Sequence, residues 1–209
     1  IDLCWHLPVG TINRRIDPNI LNASEGAIST LIVTVFKHIP SRSQRTPYKI
    51  TCYDATGELT LVFFNPRKEY LERILPEGSR RIVSGRINYY KGAPQMTHPD
   101  HIVSVDKRLT LPEFEPIYPL TTGLSSRKLQ EAIQNSIGIS PALPEWIDTM
   151  QIAKERWPTW QESLLKLHAP KSPLESDQQR LAHRRLAYDE ILANQLALTL
   201  IRRHNSKRV

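Results

Sequence analysis

The chain has almost no cysteine, little glycine and no long apolar run. Its two cysteines, Cys4 and Cys52, stand far apart in 209 residues. They form neither a CxxC pair nor a zinc-finger spacing, which argues against a disulfide framework and against structural zinc. Reduced, buried or half-buried thiols are expected instead. None of the eight glycines precedes a lysine, so the chain contains no GxxxxGK(S/T) loop to cradle phosphates. No spacing suggests a Ser/His/Asp or Cys/His set. The longest apolar-leaning stretch, Ile191–Ile201, includes Asn194 and Gln195 and falls short of the about 18 apolar residues of a membrane span. No basic segment followed by an apolar one marks a secretory signal. These absences read as a soluble cytoplasmic chain without catalytic machinery of its own. It starts at Ile1 rather than Met, as expected of a segment of something longer.

What is present is basic charge. Lys and Arg number 28 against 21 Asp and Glu, a formal charge of +7, which favours an anionic partner such as nucleic acid. A hydrophobic content of 40% and a charged content of 23% are ordinary for a globular protein of one or two domains.

Period-two patterning dominates the first half. Ile28–Phe36 is rich in β-branched residues, and Tyr48–Tyr53 alternates apolar with polar. Asp54-Ala55-Thr56-Gly57 is turn chemistry, and Leu59–Phe63 alternates again. Pro66–Leu75 then switches to helical spacing, with proline suited to the first turn. Arg81–Tyr90 reads as a long strand with Gly85 at a bend. Lys91-Gly92 turns it into Pro94–Thr97, and Ile102–Val105 completes the set. Three strands, a short helix and further strands match the five-stranded OB-fold barrel, whose open face and loops bind single strands.

After Asp106 the character changes. Pro112, Pro116 and Pro119 suggest a linker. Ser125 or Ser126 starts a helix through Ile137, and Thr159-x-x-Glu162 fits a capping box. A long helix from Ser176 to about His204 carries an apolar stripe of Leu181, Tyr188, Ile191, Leu192, Gln195 and Leu198. The expected fold class is therefore α+β: residues 1–25 as a docking segment, 26–106 as the barrel, and 107–209 as a linker and helical connector.

The candidate site centres on LTLVFFNPRKEY, Leu59–Tyr70. Adjacent side chains on a strand face opposite ways. Phe63 shares the parity of Leu59 and Leu61 and is expected in the core; Phe64 is expected outside, able to stack on an unpaired base. Tyr70 is a second, weaker candidate. Lys37, Arg42, Arg45 and Lys49 flank the loop between the first two strands, Arg67 and Lys68 follow Phe64, and Arg86 lies on the next strand with Arg80 and Arg81 nearby. All are candidate phosphate contacts. His98-Pro99-Asp100-His101 resembles a metal pair but lacks a third ligand, and Asp189-Glu190 imitates an ATPase acidic pair but lies on a helix. Neither is assigned a role.

The motifs DLCWHLP, LTLVFFNPRKEYL, VSGRI, QMTHPDHIV, EPIYPLTTGLS, LLKLHAP and RLAYDEILANQLAL follow one another in a familiar order. The sequence resembles the N-terminal, wedge-domain region of the RecG family, bacterial ATP-dependent DNA helicases of repair and recombination. The resemblance implies a wedge that splits stalled forks and Holliday-type junctions, with branched DNA and the motor domains of the same chain as partners. It implies Phe64 as the stacking aromatic. The family's second aromatic, four residues on, is replaced here by Lys68, with Tyr70 two residues later; Val9–Arg14 also departs from the family pattern. No cofactor is expected in this segment, whereas ATP and Mg would serve the motor domains. The alternative is an OB-fold protein-interaction module with an incidental basic patch.

Overall fold

A computed structural model describes residues 2–41, 43, 46–141 and 143–206. The chain divides into two compact units, Asn13–Glu113 and Ile1–Ile12 with Phe114–Val209. Residues 13–25, grouped above with the N-terminal segment, fall in the first unit. There the Asp17 N–H donates to the Thr30 carbonyl at 2.8 Å, and Ile16 bridges Thr30 in parallel.

The strand unit is built from β2 (Ile28–Ile39), β3 (Tyr48–Tyr53), β4 (Glu58–Phe63), α1 (Lys68–Ile74), β5 (Arg80–Tyr90), β6 (Ala93–Thr97) and β7 (His101–Ser104). A short strand, β1 (Gly10–Asn13), precedes them. β2 pairs antiparallel with β3, and β3 with β4. β4 runs parallel to β6, β6 antiparallel to β5, and β5 antiparallel to β2. The pairings thus return to β2, in the strand order of an OB-fold with its helix between the third and fourth strands. The sixth strand, β7, adds to β5 through Arg81–Ser84.

β5 explains the bend expected at Gly85. Its first half pairs with β2 and its second half, from Ile87, with β6. A Cβ at Gly85 would stand 3.0 Å from Met96 Cγ and Sδ and 3.1 Å from Pro99 Cα, so only glycine lets the backbone approach that closely.

Alternation fills the interior. Leu31, Val33 and Val35 meet Tyr48, Ile50 and Cys52, then Leu59, Leu61 and Phe63, with Leu71 of α1 and Leu75 just after it closing the core. Burial pushes the Cys52 thiol up to about 12, leaving it an inert core group.

The helical unit holds β8 (Phe114–Ile117), which forms a two-stranded ribbon with β1. It also holds α2 (Ser126–Gly138), α3 (Thr149–Glu155), α4 (Trp160–His168) and α5 (Asp177–Ser206). The stretch read as a linker therefore begins with a strand, whose Phe114 is buried along with the following Tyr118. The capping box at Thr159 and Glu162 forms with both bonds present. Cys4, Trp5 and Leu7 pack with Tyr118, Leu129, Ile133, Ile137, Leu164 and Leu186, so the hydrophobes of the N-terminal segment find their surface within this unit.

The apolar stripe expected on α5 is not the face that packs. The buried residues are Gln179, Ala182, Arg185, Leu186 and Asp189, while Ile191 and Leu198 are exposed. Ala182 and Leu186 enter the hydrophobic core there, and ion pairing brings Arg185 and Asp189 in beside them. Arg185 Nε donates to Asp189 Oδ2 at 3.0 Å, and its Nη2 to Glu145 Oε1 at 2.9 Å. Trp146 Nε1 donates to Asp189 Oδ1 at 2.9 Å. Burial pulls the Glu145 carboxyl up, but hydrogen bonds from Arg185 and the Ile147 N–H outweigh it and hold the group below its ordinary value.

A second buried polar link closes the same core. His168 Nδ1 and the Tyr118 hydroxyl lie 2.9 Å apart, and His168 Nε2 lies 2.9 Å from the Cys4 carbonyl. Burial holds the His168 imidazole below its ordinary value, against the opposing Cys4 hydrogen bond. The unfolded chain therefore binds a proton here more readily than the folded one. The link contributes its full stability above the unfolded value of about 6.5, and that stability is lost as pH falls below it. The helical circular-dichroism signal is expected to melt earlier at about pH 5.5 than at about pH 7.5, with His168→Asn flattening that difference. Equal pH sensitivity in the variant would remove His168 as its source.

Candidate nucleic-acid interface

β4 carries its outward parity past its last paired residue into Phe64. Phe63 is buried and packs in the core, and Phe64 is 53% exposed, as the alternation predicts. Phe64 is not a loose side chain. Its N–H donates to His98 Nε2 at 3.1 Å, and the His98 N–H donates to the Val62 carbonyl at 2.9 Å. An accepting Nε2 places the imidazole proton on Nδ1. The rings of Phe64 and His98 lie 5.9 Å apart at 33°, and Phe63 meets His98 edge-on at 5.9 Å and 85°. Asn65 and His98 both adopt left-handed backbone, with φ of 49° and 47°. Such conformations cost energy in non-glycine residues and cluster where function fixes a loop. Phe64 is thus supported from within the fold while much of the ring stays open.

His98 is the residue that sequence reading misses. In the sequence its motif reads only as an incomplete metal pair. In the structure His98 supports Phe64, and Asp100 pairs with the Arg14 guanidinium at 3.0 Å. Among the described residues no group of three His, Cys, Asp or Glu side chains is placed to hold a metal.

The expected cations are only partly gathered. Arg67 is exposed at the N-terminus of α1, and Lys68 is exposed one residue on. Lys68 Nζ lies 3.6 Å from Glu72 in a solvent-exposed pair that phosphate can displace at little cost. Tyr70 on α1 is 50% exposed, with the Arg73 guanidinium 5.6 Å from its ring centre. Lys37 is exposed on β2. Lys49 is half-buried on β3, its amine 5.9 Å from the Tyr90 ring centre. Arg86 lies opposite Ile28 on the β2–β5 seam and donates to the Gly26 carbonyl at 2.6 Å. Arg81 is likewise tied, through Nε to the Ile74 carbonyl at 2.8 Å. Arg42 and Arg45 lie outside the described residues. His38, next to Lys37, is a structural link, its ring nitrogens 2.8 Å from the Tyr48 hydroxyl and 2.7 Å from the Leu75 carbonyl.

The outward-parity residues of β3, β4 and β6 form largely uncharged rows beside these groups, with Val62 among them buried. Lys49 stands opposite Val62, and Val62 opposite Thr97; Thr51 stands opposite Thr60, and Thr60 opposite Gln95. Glu58, at the far end of β4 opposite Tyr53, is the single carboxylate on these outward positions among the described residues. A mostly neutral, hydrogen-bonding surface edged by lysines and an open aromatic has the chemistry to hold a nucleic-acid strand.

Asp189-Glu190, the pair resembling an ATPase motif, does other work. Both Asp189 oxygens are engaged, by Arg185 and Trp146.

The OB-fold nucleic acid binding domain family matches residues 30–103. Among curated proteins, the ATP-dependent DNA helicase RecG of Aquifex aeolicus is 26% identical over 95% of this chain and 26% of its own length. RecG of Escherichia coli K12 is 27% identical over 96% of this chain and 30% of its own length. The solved structure of RecG bound to a three-way DNA junction superposes with a TM-score of 0.72 at 22% identity, covering 99% of this chain and 28% of that one; the fold is shared. The chain spans between about a quarter and a third of the length of these curated relatives. Over nearly its whole length the chain is similar to RecG, and within it residues 30–103 match the OB-fold nucleic acid binding domain.

Proposed function

We propose that this chain is the fork- and junction-binding wedge of a RecG-like ATP-dependent DNA helicase, acting in DNA repair and recombination in the bacterial cytoplasm. The observation that carries the reading is Phe64, exposed at the end of β4 and backed by His98, in a chain similar to RecG. At a duplex split, Phe64 stacks on the first unpaired base and blocks its return, while Arg67, Lys68, Lys37 and Lys49 contact backbone phosphates. Splitting here is passive. ATP, with Mg, would serve motor domains of the same chain. The residues in this segment do not fit that cofactor, because there is no phosphate-cradling lysine loop and Asp189 is already committed to Arg185 and Trp146.

The test compares a forked DNA with a duplex of equal length by fluorescence anisotropy across a salt series. Tighter binding of the fork is expected, and both affinities should fall with salt as the gain from counterion release shrinks. Equal affinity for the two would favour a protein-interaction module whose positive charge attracts any DNA.

A further inference from the structure

The turn joining β5 to β6 holds a second aromatic, to which the wedge mechanism gives no role. Tyr90 pairs with Ala93 across the two-residue loop Lys91-Gly92. Both loop residues have positive φ, 54° at Lys91 and 81° at Gly92, the signature of a type I′ turn. The first position of such a turn favours asparagine, aspartate or glycine, which reach left-handed backbone at small cost. Lysine stands there instead, and its amine lies 5.6 Å from the Tyr90 ring centre. The Lys49 amine, from β3, lies 5.9 Å from the same ring, so the turn leans across the uncharged rows of β4 and β6. Tyr90 is 55% exposed. Its neighbour Tyr89 anchors the hairpin, donating from its hydroxyl to the Ala23 carbonyl at 3.1 Å.

We infer that Tyr90, with Lys49 and Lys91 beside it, is a second stacking position, which takes one base of a single-stranded DNA arm while the two amines contact the flanking phosphates. An open aromatic between two cations suits a nucleotide on both counts: every base offers a π-face, and its backbone offers the charge. A strained lysine at the turn is the residue the ligand would require and the turn itself would not. The inference rests on the fork-binding reading and adds a specific place for an arm after it leaves Phe64.

The test uses this chain with a labelled oligothymidylate, a forked DNA and a plain duplex. Tyr90→Ala is expected to weaken oligothymidylate binding by roughly 5- to 150-fold, the stacking of one base, and to leave duplex binding unchanged. Tyr90→Phe, which keeps the ring, should bind as the parent does. Lys91→Asn provides a variant whose turn is at least as favourable; it should fold as well as the parent and reduce the salt slope for the single strand by about 0.7, the share of one neutralised phosphate. Unchanged oligothymidylate binding in Tyr90→Ala would overturn the inference. So would an equal loss in Tyr90→Phe, or an equal loss on duplex. If fork preference and its dependence on Phe64 persist while Tyr90→Ala has no effect, only this second position fails. Absent fork preference in the parent chain would instead overturn the wedge reading.

Discussion

Phe64→Ala is expected to weaken binding of a forked DNA by roughly 5- to 150-fold while leaving duplex affinity and the circular-dichroism spectrum unchanged. The magnitude follows from the about 1–3 kcal/mol that stacking one base on an aromatic contributes. Selectivity for the fork follows from geometry. Phe64 projects beyond the last paired residue of β4 and is open on one side, so it meets a base only where the duplex has already parted. The substitution removes an exposed side chain and leaves Phe63, which holds the core position, in place. Phe64→Trp should retain or strengthen fork binding, since a larger ring stacks as well. A variant that loses fork and duplex binding together would point to a general charge or folding effect rather than a wedge.

Arg185→Met is expected to destabilise the helical unit by about 3–5 kcal/mol, the usual result of removing one partner from a buried ionic cluster. Arg185 is fully buried, with 0% exposure, and donates to carboxylates on two sides. Without it, Asp189 and Glu145 face each other with the Trp146 N–H as the remaining side-chain donor to Asp189. The helical circular-dichroism signal should unfold at lower denaturant, and Trp146 fluorescence should change in the same transition. Replacing the carboxylates as well, in Glu145→Gln with Asp189→Asn and Arg185→Met, should recover part of the loss, because the uncompensated charges are then gone. Loss of DNA binding by Arg185→Met at temperatures where the chain remains folded would contradict a purely structural role.

The strand unit is legible in the sequence because its core is made by alternation. Leu59, Leu61 and Phe63 share one parity and all three are buried; the same count places Phe64 outside, although Val62, on the outward parity, is also buried. The strand-helix-strand order points to the OB-fold for a related reason, since period and turn chemistry change together at Asn65 and Pro66. The helical unit is harder. The packed face of α5 mixes Ala182 and Leu186 with the polar Gln179, Arg185 and Asp189, which a hydrophobic stripe cannot find; Arg185 and Asp189 are met there by Glu145 and Trp146. β8 is hidden by Pro116 and by having just four residues. At the interface the missing parts depend on backbone conformation and distant pairing. His98 supports Phe64 through a left-handed backbone and a ring nitrogen, and Tyr90 at the end of β5 meets Lys49 from β3. The HPDH motif and the Lys91-Gly92 turn are visible in the sequence, but neither says which neighbour it reaches.

If Phe64 stacks on the base at the point where the duplex parts, a cross-link can capture the two together. The most direct measurement places a photoreactive 5-iodouracil at the first unpaired position of a forked DNA, irradiates the complex, and maps the adduct by mass spectrometry. The predicted result is an adduct on Phe64, lost when the 5-iodouracil is moved deep into the duplex arm. Efficient cross-linking from the first unpaired position to other residues, with none at Phe64, would contradict it.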